Sequence, residues 1–137
     1  MRNLSPSPPA TRVHASAVLF TTSMASVASF YEHVAGLRRS SAGDDHIVLM
    51  NDGFRLIVHR IPEPDAHGVT VSTPPEVRMD AAVKLALPVA SLANARAAAA
   101  RFGGAVHGAE QEWHYESAVV CDGWDPDGNV FQLVQET

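Results

Sequence analysis

The sequence predicts an α+β fold: two tandem βαβββ modules whose curved mixed sheets form a cleft, with the helices on the convex side. Two observations predict it. The first is an internal repeat. Ser23-Met24-Ala25 with Gly36 thirteen residues on recurs as Ser91-Leu92-Ala93 with Gly104 thirteen on, and Asp52-Gly53 precedes one closing strand as Asp127-Gly128 precedes the other. A recurring punctuation of this kind marks a duplicated unit. The second is periodicity. The strand candidates alternate with period two, and one side of that alternation is apolar throughout.

The elements follow in order. Pro6, Pro8 and Pro9 make residues 1–12 a poor helix or strand, so they read as a flexible arm. The first module spans 13–60. A strand over 13–20 leads to Ser23, whose hydroxyl suits a helix N-cap. Met24, Val27, Phe30, Tyr31 and Val34 then keep helical spacing until Gly36. Strands are expected at 37–41, 46–50 and 54–60, the last two joined by the hairpin signal Asn51-Asp52-Gly53. Residues 61–80 carry Pro62, Pro64, Pro74 and Pro75 and read as a linker. The second module spans 81–137. It has a strand at 83–89, an N-cap at Ser91, a helix at 92–102 closed by Gly103-Gly104, and strands at 105–109, 117–121 and 130–135.

Each helix demands an apolar sheet face beneath it. Leu56 and Val58, then Leu85, Leu87 and Val89, then Phe131 and Leu133 supply that face. Alternation sends His14, Ser16, Val18 and Phe20 to the opposite, cleft side, with Arg55, Ile57 and His59, with Lys84, Ala86 and Pro88, and with Val130, Gln132 and Val134.

The bulk numbers remove several classes of function. The 137 residues are 46% hydrophobic and 18% charged, which excludes a disordered or fibrous chain. A net charge of −5 offers no electrostatic reason to bind nucleic acid or an anionic membrane. The one cysteine, Cys121, forbids an internal disulfide, and residues 1–11 lack the apolar core of a signal peptide, so the expected location is the cytoplasm.

Two motifs carry a family resemblance. Ser23, Phe30-Tyr31-Glu32 and Gly36-Leu37 resemble the first helix of the vicinal-oxygen-chelate superfamily, which includes glyoxalases, bleomycin-resistance proteins and extradiol dioxygenases. The run Asp125-Pro126-Asp127-Gly128-Asn129-Val130-Phe131-Gln132-Leu133 resembles its closing strand. The likeness covers roughly residues 13–135. It implies four metal ligands on the concave strands, and by register those positions are Ser16, Ile57, Lys84 and Gln132. Isoleucine has no lone pair, serine is a poor ligand, and the Lys84 ammonium repels a divalent cation. No carboxylate base occupies any of the four. The chain therefore resembles the metal-free bleomycin-resistance type, which implies a homodimer that binds a small molecule, with no cofactor. The alternatives are a metal-dependent lyase, isomerase or dioxygenase with shifted ligands, for which His14 and His59 are the candidates, and a non-catalytic metabolite-sensing module.

The cleft residues expected to meet a ligand are Ser16, Phe20, Arg55, Ile57, His59, Lys84, Trp113, Tyr115, Trp124 and Gln132. Trp113, Tyr115 and Trp124 offer flat contact area of the kind conjugated ligands use, although Trp113 and Tyr115 equally suit a loop plug or a dimer contact. Lys84 either binds an anionic ligand group, with Arg55 and Gln132 in support, or reaches solvent at the cleft mouth or pairs with a nearby Glu. DPDGN reads first as turn chemistry, Phe30 and Tyr31 as helix-to-sheet packing, and Cys121 as buried packing. Whether the cleft closes within one chain or between two is open at this level.

Overall fold

The computed structural model describes residues 14–62 and 65–137, so the arm expected over 1–12 lies outside the described residues. The first module contains β1 (Ala15–Thr21), α1 (Met24–Val34), β2 (Arg38–Ala42), β3 (His46–Met50) and β4 (Phe54–Arg60). Its sheet runs β1-β4-β3-β2, with β1 parallel to β4 and the rest antiparallel. The second module contains β5 (Leu85–Pro88), α2 (Leu92–Arg101), β6 (Ala105–Val106), β7 (Trp113–Tyr115), β8 (Ala118–Trp124) and β9 (Val130–Glu136). Its sheet runs β5-β9-β8-β6, with β7 also on β8. Short 3-10 turns at Asp65–Gly68 and Ala109–Gln111 complete the described chain. No helix among the described residues is long and apolar enough to cross a membrane.

The apolar alternation does what the pattern requires. Leu56, Val58, Leu87, Phe131 and Leu133 are all buried against the helices. One core spans both modules: Phe30 and Tyr31 of α1 set their rings 5.7 and 5.9 Å from Phe131 of β9, and α1 packs on α2. The buried face of a strand in one module and the helix of the other thus share a single packing unit.

Four local expectations are corrected. The strand expected over 83–89 is ordered only at Leu85–Pro88, because Val83 and Lys84 lie ahead of the parallel ladder to β9. The strand expected over 105–109 is two residues long, since Gly108 starts the 3-10 turn. β7 is an additional strand: the β-favouring Trp113 and Tyr115 pair with Val120 and Ala118, and Glu116 turns the chain with φ +53°. Finally, Ser23 is not a side-chain cap. Its backbone N–H donates to Thr21 Oγ1 at 2.9 Å, and its own hydroxyl makes no capping bond.

Ser91 does cap α2, accepting from the Asn94 N–H at 3.0 Å. The two serines therefore separate experimentally. Ser91→Ala is expected to cost about 1 kcal/mol in urea unfolding, and Ser23→Ala only a few tenths. Equal losses would contradict this assignment of the caps.

Gly36 (φ +67°) and Gly103 (φ +94°) end the helices in the left-handed region that other residues enter at a cost. Gly128 (φ +84°) has a second reason to be glycine. A Cβ there would strike the Glu76 carbonyl, so this turn is where the inter-module linker crosses and is pinned, with the Arg78 N–H donating to the Gly128 carbonyl at 2.9 Å.

Candidate functional site

The two sheets turn one face to the helices and leave the other open. On the first sheet the open face carries Ser16, Val18, Phe20, Arg55, Ile57 and His59, because β1 and β4 pair Ser16 with Arg55, Val18 with Ile57 and Phe20 with His59. On the second, cross-strand pairing puts Trp113, Tyr115, Asp122, Trp124 and Gln132 on one face, with Ala86 opposite Gln132. Val18 and Phe20 are 51% and 55% exposed, Trp113 39% and Tyr115 63%.

Individual contacts decide what these residues are free to do. Ser16 Oγ donates to the His14 carbonyl at 3.1 Å and accepts a long bond from Arg55 Nε at 3.5 Å. His59 donates from Nδ1 to the Arg60 carbonyl at 2.7 Å, holds Nε2 3.8 Å from Asp45, and sets its ring 5.4 Å from Phe20. His46 donates to the other Asp45 oxygen at 2.8 Å, and that bond is the main reason the Asp45 carboxyl titrates below its ordinary range. Trp124 meets His107 edge-on at 5.2 Å. Lys84 Nζ sits 2.7 Å from Asp122 Oδ2. Asp122, which the sequence reading did not single out, lies opposite Gln132 and leaves its Oδ1 buried without a partner.

This arrangement does not fit a divalent metal at the four positions of the resemblance. Ile57 contributes nothing, Lys84 brings its charge to the Asp122 carboxylate, and Ser16 is bonded locally. The shifted pair fails on register. His59 pairs with Phe20 at one end of β1, while His14 precedes Ala15 at the other, about 20 Å away at the rise of a strand. Among the described residues no three His, Cys, Asp or Glu side chains group to hold a metal ion. Cys121 is buried, its Sγ 3.4 Å from the His107 carbonyl, and burial pushes its thiol up in pKa, which leaves it as packing rather than a nucleophile.

A concave site forms elsewhere, between the free edges of the two sheets. A groove of about 370 Å³ lies between β1 and the β5/β9 side of the second module, lined by Val18, Phe20, Leu85, Val130, Phe131 and Arg78 among others. Val18, Phe20 and Val130 of the expected cleft face line it, and of the residues expected to meet a ligand Phe20 is the one included; Ser16, Arg55, Ile57, His59, Lys84, Trp113, Tyr115, Trp124 and Gln132 lie outside the lining. Arg78 belongs to the linker and was not anticipated, since nothing local in the Pro-rich stretch says which way it returns.

The floor of the groove is held by a buried polar knot. Tyr31 donates its hydroxyl to Asp125 Oδ2 at 2.7 Å across 94 residues of sequence. Asp125 Oδ1 accepts the backbone N–H groups of Asp127 and Asn129, and the Asn129 amide also donates to this carboxylate. Burial raises the Asp125 carboxyl even against these hydrogen bonds, and burial together with Asp125 pushes the Tyr31 phenol well above its ordinary value.

Two helix-backed βαβββ-type modules that share one core beside a groove define the vicinal-oxygen-chelate fold. The chain matches the glyoxalase-like domain family over residues 16–134, and it belongs to that family. Its fold is similar to a glyoxalase/bleomycin resistance protein/dioxygenase family enzyme of Burkholderia phytofirmans (13% identity, 90% of this chain and 98% of the other, TM-score 0.65). It is similar also to a glyoxalase/bleomycin resistance protein of Albidiferax ferrireducens (14% identity, 90% and 98%, TM-score 0.65). TioX from a Micromonospora species aligns at 16% identity over 90% and 98% with a TM-score of 0.59. No curated protein sequence matches the chain.

Proposed function

We propose that the protein binds a small, largely apolar molecule in the groove between its modules and holds it without a metal ion, as a sequestering or resistance-type binding protein. The observation that carries this reading is the groove itself. It is concave, mostly apolar and within the size of small-molecule sites. The donor set on the open faces supports the metal-free part, because Lys84 and Ile57 stand where ligands would be needed. The glyoxalase/bleomycin resistance naming of the similar structures is in keeping with it.

The test uses N-phenylnaphthylamine, an uncharged aromatic probe whose fluorescence rises on leaving water. It is expected to bind saturably, with one site per chain, in buffer containing a chelator. Val18→Asp places a charge on the wall of the groove at a half-exposed position, and is expected to weaken binding about tenfold or more with little change in Tm. Binding that disappears on chelation and returns with zinc or nickel would overturn the metal-free reading. Binding indifferent to Val18→Asp would remove the groove as its place.

A further inference from the structure

The polar side chains around the groove are unequally occupied. Tyr31 and Asn129 line it, but both commit their donors to Asp125. Lys84, a candidate to meet an anion, is neutralised by Asp122 at 2.7 Å. Other arginines are engaged too: Arg39 with Glu32, Arg96 with Glu112 and the His107 carbonyl, Arg55 with Ser16. Arg78 differs. It is the only charged residue in the groove lining, and among the described residues its guanidinium has no ion pair or hydrogen bond. Glu76, Asp80 and Asp127 line a neighbouring cavity of about 470 Å³ that also touches Arg78, yet none of them reaches ion-pair distance.

We propose that the groove selects an organic anion: an aromatic or otherwise apolar body against Val18, Phe20 and Phe131, with a carboxylate, sulfonate or phosphate group received by Arg78. The inference rests on the groove reading above and adds the class of ligand. A guanidinium presents its donors in a planar fork that matches such groups two oxygens at a time. Next to an apolar wall the pairing is stronger than in open water, because fewer water molecules compete for it. The position of Arg78 is secured independently of its side chain: its backbone N–H donates to the Gly128 carbonyl, and the glycine at 128 leaves the linker room to cross. Replacing the side chain therefore removes the charge and leaves the linker in place.

Anilinonaphthalene sulfonate is N-phenylnaphthylamine with one sulfonate added, so the pair isolates the charge. The native protein is expected to bind the sulfonate about five- to tenfold more tightly than the neutral probe, with an advantage that shrinks as salt is added. In Arg78→Met that advantage is expected to vanish while the variant still binds the neutral probe saturably and unfolds as cooperatively as the native protein. Arg78→Lys is expected to keep part of it. Equal affinity of the native protein for the two probes, or an advantage that survives Arg78→Met, overturns the inference and leaves the groove reading standing. Failure of both probes to bind the native protein overturns the two together.

Discussion

Asp125→Ala is expected to lower the free energy of unfolding by about 3–5 kcal/mol, the sum of several buried donors losing one acceptor. The Tyr31 hydroxyl, 1% exposed as a residue, loses its partner, and so do the Asp127 and Asn129 N–H groups. Asp125→Asn is expected to cost less, about 1–3 kcal/mol, since one oxygen survives but an NH₂ now faces donors. The pH dependence has a definite sign. Burial holds the folded Asp125 carboxyl above its unfolded pKa, so the folded chain binds the proton more tightly. That contribution to stability is full below the unfolded pKa and is lost as pH rises through the folded one. The penalty of Asp125→Ala is therefore expected to be larger in mild acid than at neutrality, as read from urea unfolding at both. A penalty that grew with pH would mean that the hydrogen bonds outweigh burial at this carboxylate.

Phe131→Ala is expected to cost a comparable amount, about 3–5 kcal/mol. The residue is 1% exposed and its ring meets Phe30 and Tyr31 from the other module. The native protein and the variant are each expected to unfold in one transition, because the core that Phe131 completes is common to both modules. Phe131→Leu, which keeps much of the volume, is expected to lose much less. Two separate transitions followed by tryptophan fluorescence and circular dichroism would show instead that the modules unfold independently.

Much of the architecture was legible because it depends on local, periodic signals. The alternation of Leu56 and Val58, or of Phe131 and Leu133, reports burial directly, since a strand shows its two faces at every second residue. The errors fell where a competing interaction decided. Ser23 has the residue type of a cap, yet its backbone N–H is taken by Thr21 Oγ1 and its hydroxyl makes no capping bond. Trp113 and Tyr115 read as aromatics lying ahead of a strand, suited equally to a ligand, a loop plug or a dimer contact. They form β7 on the open face of the second sheet, and Glu116 makes the turn that a glycine would have advertised.

The candidate site was less legible than the fold. Lys84 reads either as an anion-binding cation or as a paired one, and only Asp122, 38 residues away, decides for the pair. Arg78 reads as one more charge in a Pro-rich linker until the linker is found pinned at Gly128, beside the groove. The DPDGN run announced a turn, and it is one, but nothing near it in sequence announces that Asp125 receives the Tyr31 hydroxyl.

The sequence by itself determined the duplicated modules, the apolar face of each sheet and the poor fit of Ser16, Ile57 and Lys84 to a metal, because each follows from residue type and spacing along one strand or helix. Only the tertiary structure decided where a groove forms, that Arg78 lines it with no ion pair among the described residues, and how the two modules are joined. Those depend on partners tens of residues apart, brought within about 3 Å by a shared core, where hydrogen bonds and ion pairs are made or left unmade.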